Sequence, residues 1–368
     1  LAAGCKRPYN QVPPFDCGPC SGSSRRCSGT TRLSKLRLAE ARVSVPIAQA
    51  HAQAVQVLRA NGCDAKYAEA IVDHLMDAEL CGVESHGIMR ALQYADEFRR
   101  GYLVANVIPN VTSGSSATVD VDGAGGIGIL AMNAATDAGI VAARKHGVAA
   151  LAVRNIGHTG RLGAFAERAA DAGCLFIACG GGARERWRMV APYGGSKAVL
   201  PTNPWCLGIP GGAQGPVVLD CATGQVAGGW IYAAQRAGAT LTEGSIVDSS
   251  GNPSTDPADY FNGGAILPKG GVLGYGLATM GELICDAMLG PATLECNTFI
   301  LMVDTGLYRA KSSLQNAAEA ILDELRNCPP APGFDRVEVC GEREQIHRAQ
   351  TFILRLPART WEALVTHQ

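Results

Sequence analysis

The chain has 368 residues, of which 47% are hydrophobic and 18% charged, and its net charge at neutral pH is −1. That length allows two or three lobes with sizeable cores, and the mild charge gives no footing for nucleic-acid binding. No apolar run approaches the roughly 18–20 residues that cross a bilayer, so no membrane association is expected.

Basic charge gathers at the start: residues 1–42 hold eight Lys or Arg against Asp16 and Glu40. This stretch, rich in Gly, Ser, Pro, Cys and Arg, reads as a flexible leader. Its acid-poor composition suits either an organelle transit peptide or a start-site artefact, and otherwise a cytoplasmic setting is expected. The 14 cysteines are scattered through apolar contexts such as Cys174–Cys179, which suits buried free thiols rather than a disulfide framework. Cys17-Gly18-Pro19-Cys20 spells a redox pair, but neither the strand before it nor the helix after it is supported, so it reads as a chance match.

From Val45 the pattern becomes helical. Ile47 to Ala60 and Asp64 to Leu80 are amphipathic, with Gly62 ending the first and Asp64 capping the second. A loop then carries Glu84-Ser85-His86-Gly87, and a third helix runs from about Met89 to Arg100. Strands and helices alternate after that: strand Ala117–Val121, helix Met132–His146, strand Val148–Val153, helix Arg161–Ala172 and strand Cys174–Cys179. Strand-like Val217–Leu219, a helix around Tyr275–Leu289 and strand-like Phe299–Val303 continue this α/β body. The tail returns to helix at Ser312–Arg326 and Arg359–Thr366.

Gly123-Ala124-Gly125-Gly126-Ile127-Gly128 fits the G-x-G-x-x-G dinucleotide pattern between a strand and a helix. The acid expected about 20 residues later, for the ribose hydroxyls, is missing; Val153-Arg154-Asn155 stands there instead. His86 and His158 are better candidates. Each lies beside glycine in a loop at an element end, where a ligand can approach. An imidazole can exchange the proton that accompanies hydride transfer, and Arg90, four residues past His86, can hold a carboxylate. Taken singly, each histidine is better explained by a structural hydrogen bond. No third ligand stands at a telling spacing, so no metal is expected.

Eight motifs occur in one order: Glu84-Ser85-His86-Gly87-Ile88-Met89-Arg90, Asp122-Gly123, Asn155-x-x-His158-x-Gly160, Pro192-Tyr193-Gly194-Gly195, Thr202-Asn203-Pro204, Leu219-Asp220-Cys221-Ala222-Thr223, Pro268-x-Gly270-Gly271-x-x-Gly274-Tyr275-Gly276-Leu277 and Gly341-Glu342-x-Glu344. With them the chain, from about Val45 to its end, resembles the malate/L-lactate dehydrogenase family, which lacks a Rossmann fold. The resemblance implies an α/β fold in which helical N- and C-terminal parts (43–116, completed by 305–368) pack with a central cofactor domain (117–304). It implies a homodimer that uses NAD or NADP to interconvert a small 2-hydroxy acid and its 2-oxo acid. It also implies catalytic roles for His86 and His158 and substrate contacts from Ser85 and Arg90. Implied cofactor contacts are Val218, Leu219, Asp220, Cys221, Ala222, Thr223, Val272, Leu273, Gly341, Glu342 and Arg343. On this resemblance Gly123–Gly128 is a strand-to-helix turn and no phosphate loop.

The chain departs from the family pattern where Leu273 replaces a lysine, Gly224 a serine, Cys340 a proline and Pro201 a glycine. These changes keep two alternatives open, a cyclic 2-imino acid reductase and a family-derived protein with weakened or lost catalysis. The arginines of Gly182–Arg188 either replace the lost cation, bind a more acidic substrate or form a solvated loop, and the solvated loop is the expectation.

Overall fold

The computed structural model describes residues 41–367 except Ser115. Cys17 and Cys20, and the leader up to residue 40, lie outside the described residues. Strand β1 (Arg42–Pro46) opens the described chain and pairs antiparallel with β12 (Ile353–Pro357). Arg42, expected in the leader, is therefore part of a strand.

Helices α1 (Ile47–Ala60), α2 (Ala65–Leu80) and α3 (Arg90–Arg99) follow. Asp64 caps α2 by accepting the N–H of Tyr67 at 2.8 Å. The apolar stripe of α2 (Ile71, Val72, Leu75, Met76) is buried with Val57 and Leu58 of α1 and with Tyr94 of α3. Leu354, Leu356 and Leu364 from the C-terminal end of the chain complete this core.

The second core surrounds a seven-stranded sheet of order β2-β3-β4-β11-β5-β6-β7. Its strands are β2 (Asn110–Ser113), β3 (Thr118–Asp122), β4 (Val148–Ile156), β5 (Cys174–Gly181), β6 (Trp205–Ile209), β7 (Val217–Cys221) and β11 (Cys296–Asp304). Only β3 and β4 pair in parallel, joined through α4 (Gly128–His146); the other pairs are antiparallel, so the sheet is mixed. Helix α5 (Gly163–Asp171) packs on β5 and β6.

The turn from β3 to α4 accounts for its glycines without a ligand. The N–H groups of Gly123 and Gly125 donate to the carbonyls of Arg154 and Asn155 at 2.9 and 3.0 Å. A Cβ on Gly128 would stand 2.4 Å from the Gly157 carbonyl oxygen. The amides that a Rossmann turn would offer to phosphate are used by the neighbouring strand end. The turn thus braces the segment that carries His158.

A third, smaller unit holds α6 (Gly228–Ala237), α7 (Pro257–Phe261) and a three-stranded sheet of β8 (Ile246–Val247), β9 (Pro253–Ser254) and β10 (Ala265–Ile266). Helix α8 (Val272–Glu282) contributes Ala278 to its core. Helices α9 (Lys311–Arg326), α10 (Glu342–Gln350) and α11 (Ala358–Thr366) complete the chain. The ten cysteines among the described residues are all unpaired. No helix among the described residues is long and apolar enough to cross a membrane.

Candidate active site

His86 stands in a single 3-10 turn, Glu84–His86, between α2 and α3. From within, the buried carboxylate of Glu79 accepts the Ile88 N–H at 3.0 Å. From the other side, Arg42 grips both oxygens of Glu84 at 2.7 and 2.9 Å. His158 follows the end of β4, where Asn155 takes a left-handed φ of 55°. The Asn155 side chain donates to Asp122 at 2.9 Å, which holds that bend.

The two imidazoles stack, with centroids 5.3 Å apart and planes 29° from parallel. Nδ1 of His158 accepts the Gly160 N–H at 3.2 Å and lies 2.6 Å from the Tyr94 hydroxyl. An acceptor Nδ1 leaves the proton of the neutral ring on Nε2. Nδ1 of His86 is 2.9 Å from Ser85 Oγ. Burial, then the Arg90 charge, push His86 down to about 3. The same causes hold His158 well below its ordinary range, so both rings are neutral at pH 7. Arg90 donates through Nε to the Ser85 carbonyl at 2.7 Å and through Nη1 to Gln93. Its Nη2 has no partner among the described residues.

The two histidine segments are cross-linked. His74 on α2, stacked on Phe165, accepts the Arg161 main-chain N–H at 3.0 Å. The Arg161 guanidinium, 4% exposed, lies 2.7 Å from Asp77 and 3.0 Å from Glu167. Arg348 of α10 reaches both acids at 2.8 Å.

Ser85, His86, Arg90 and His158 line a cleft of about 1010 Å³. Val218, Leu219, Asp220, Cys221, Ala222, Gly341 and Arg343 line the same cleft. Asp220 accepts the Gly163 N–H at 2.7 Å through Oδ2, and burial pushes its carboxyl pKa up. Four expected cofactor contacts do not reach the cleft. Thr223 is buried and donates to the Thr202 carbonyl at 2.8 Å. Glu342 is held by Arg326 at 2.6 Å, and Val272 and Leu273 are exposed at the start of α8. The 182–188 loop departs from expectation in part: Arg186, Trp187 and Arg188 line the cleft, while Arg184 pairs with Asp286 at 3.2 Å.

Tyr94, Arg161 and Glu295 were not foreseen. The sequence holds a signal for Tyr94, which follows Arg90 by four residues and so shares its helix face. Arg161 lies three residues past His158. Glu295 carries no local signal and reaches the cleft only because β11 pairs beside β4.

Residues 45–364 match the family model of malate/L-lactate dehydrogenase, and the chain belongs to that family. Within it, the chain is 30% identical to L-lactate dehydrogenase of Cupriavidus necator over 84% of this chain and 92% of the relative. It is 32% identical to a Delta(1)-pyrroline-2-carboxylate/Delta(1)-piperideine-2-carboxylate reductase of Pseudomonas putida, over 67% of this chain and 72% of that one. The solved sulfolactate dehydrogenase of Methanocaldococcus jannaschii superposes with a TM-score of 0.78 at 28% identity, covering 88% of this chain and 95% of the other. Hydroxy-acid dehydrogenases and cyclic imino-acid reductases thus share this fold, which supports an oxidoreductase.

Proposed function

We propose that this chain interconverts a small 2-hydroxy acid and its 2-oxo acid, using NAD or NADP. The observation that carries the reading is the stacked His86–His158 pair beside Arg90, in one cleft with the β7 segment and Gly341. The cleft's volume of about 1010 Å³ stands at the upper end of small-molecule and cofactor sites. Its residues fit a dinucleotide: Asp220 keeps Oδ1 unpartnered among the described residues, available to a ribose hydroxyl. Gly341, at φ 89°, lies so close to Val218 that a Cβ would stand 3.2 Å from its nitrogen, which keeps that wall low. Val218–Ala222, Gly341 and Arg343 would hold the cofactor, and a bound nicotinamide would supply or take up hydride at the substrate C2.

Arg90 holds the substrate carboxylate through its free Nη2. In the oxidation direction neutral His86 accepts the hydroxyl proton at Nε2, while Ser85 orients the ring through Nδ1. The substrate anion offsets the Arg90 charge, one of the causes that depress His86, so binding makes the ring a better proton acceptor. His158, fixed by Tyr94 and Gly160, presents Nε2–H as a donor.

The partner expected is a second copy of the chain. Leu273, Gly276, Met280 and Leu283 follow heptad spacing along α8 and beyond, and the three large side chains are exposed. Unpaired cysteines suit a cytoplasmic setting. The deciding experiment is thermal unfolding with and without NADH or NADPH, followed by assays on pyruvate, oxaloacetate and piperideine-2-carboxylate. No stabilisation by either cofactor would refute the reading.

A further inference from the structure

The cleft holds one carboxylate that the chemistry above does not use. Glu295 lines it just before β11, half-buried, with its main-chain N–H bonded to the Ile156 carbonyl at 3.2 Å. Neither side-chain oxygen has a hydrogen-bond or ion-pair partner among the described residues. Of its charged neighbours, Arg90 keeps only Nη2 free, for the C1 carboxylate of the substrate. Arg90 is held by Ser85 and Gln93, and Arg186 donates to the Leu294 carbonyl at 2.9 Å. Glu97 on α3 accepts from Gln93 at 2.8 Å and keeps Oε2 buried without a partner. Three carboxylate oxygens, both of Glu295 and Oε2 of Glu97, thus lack a hydrogen-bond partner among the described residues.

From this arrangement we infer that Glu295 is a specificity-determining residue, which accepts a hydrogen bond from the non-reacting part of the substrate. It selects acids whose far group donates a hydrogen bond or carries positive charge, and it rejects dicarboxylates. The inference rests on the 2-oxo acid reading above and names the substrate class within it. Arg90 takes the C1 carboxylate and His86 the oxygen or nitrogen on C2, which leaves the C3 side of the molecule for Glu295. A second carboxylate there would face ionised Glu295, an unfavourable like-charge contact. An amide N–H or an ammonium on that side would fill the empty acceptor instead. Burial and the Glu97 charge, opposed by Arg90, raise the Glu295 carboxyl to about 7, so the like-charge contact is full only above that pH and the panel is assayed at pH 8.

The test compares oxaloacetate with its side-chain monoamide, which matches it in shape and offers a donor in place of an anion. Pyruvate and piperideine-2-carboxylate, whose nitrogen is the reacting one on C2, are the members with no far polar group. The full chain and Glu295→Gln are assayed with NADH and NADPH, and the readout is the ratio of kcat/KM values, whatever the absolute rates. The wild type should prefer the monoamide to oxaloacetate by about tenfold or more, as a site built around a hydrogen bond does. Glu295→Gln, which supplies a donor of its own, should cut that preference to about threefold or less. Glu295→Ala, which removes the acceptor without adding a donor, should also lose it. A wild type that reduces oxaloacetate as well as the monoamide overturns the inference. So does a Glu295→Gln enzyme that loses activity on all substrates at an unchanged ratio, since that marks a structural role. Reduction of no member of the panel, with no thermal shift from either cofactor, overturns the 2-oxo acid reading and this inference with it.

Discussion

Gly87→Ala is a demanding test of how the His86 turn is held. The backbone there (φ −85°, ψ −158°) suits any residue, so the effect of a methyl group must come from space alone. A Cβ at position 87 would stand 1.9 Å from Glu79 Oε2 and 2.9 Å from its Cδ. Glu79 is 6% exposed and has little room to retreat, and its retreat would release the Ile88 N–H. Overpacking costs about 1–3 kcal/mol, and losing a hydrogen bond to a charged acceptor about 1.5–3 kcal/mol. The expected loss is therefore about 3–5 kcal/mol, with His86 displaced and turnover reduced. The reasoning is sharpest in a double-mutant cycle. Glu79→Ala alone should be destabilising, but Gly87→Ala added to it should cost little, because the clashing carboxylate is gone. Urea denaturation of the four proteins should give a coupling of about 3–5 kcal/mol, nearly the whole cost of Gly87→Ala in the wild type. Additivity of the two substitutions within about 0.5 kcal/mol would refute the account.

Three further outcomes follow from the same geometry. Tyr94→Phe removes the hydroxyl 2.6 Å from His158 Nδ1, and should cost about 0.5–1.5 kcal/mol and about tenfold in turnover; nitrogen NMR showing the wild-type proton on Nδ1 would contradict the assignment behind it. His74, held down to about 4 by burial, stays neutral in the fold while the unfolded chain takes up a proton. Its share of stability, about 3 kcal/mol, is full above about pH 6.5 and is lost as pH falls toward 4. His74→Gln keeps an acceptor for the Arg161 N–H and should flatten the measured slope of stability over that window; an unchanged slope would count against the assignment. Arg161→Met removes the buried cation and leaves Asp77 and Glu167 to Arg348 alone, so it should cost about 1.5–3 kcal/mol in urea unfolding, and Arg161→Lys less.

The sequence revealed elements whose signals are local and hid those made by distant partners. The first helix occupies Ile47–Ala60 as its periodicity predicts, and Asp64 caps the second as its side chain suggests. Strand β4 runs three residues past its predicted end, to Ile156, because β3 pairs with it as far as Arg154 and Cys296 of β11 pairs with Ile156 beyond an irregularity in the β4–β11 register. Strand β1 was invisible: Arg42 pairs with Pro357, and neither segment signals a strand alone. Helix α10 buries no residue and is held by ion pairs such as Arg348 with Glu167, which no periodicity reports. In the cleft, His86 and His158 were legible through their motifs. Glu295 was not, because only the folding of β11 against β4 brings it there.

The same distinction bears on the doubt raised by the cofactor-side departures. Leu273 in place of lysine reads in the sequence as a lost cation, yet Leu273 is exposed on α8 and does not line this chain's cleft. Gly224 packs so that a Cβ would lie 3.2 Å from Ile266 and 3.3 Å from Val190, so a serine would need both neighbours to give way. Cys340 acts through its main chain, accepting the Val218 N–H at 3.2 Å, which a proline carbonyl would do as well. The cleft's positive charge comes from elsewhere: Arg343 is paired with Glu338, Arg186 is held by Leu294, and Arg188 has no partner among the described residues. A diphosphate bound within one chain would therefore be met by Arg188, and one bound across two copies by whatever the α8 face brings together.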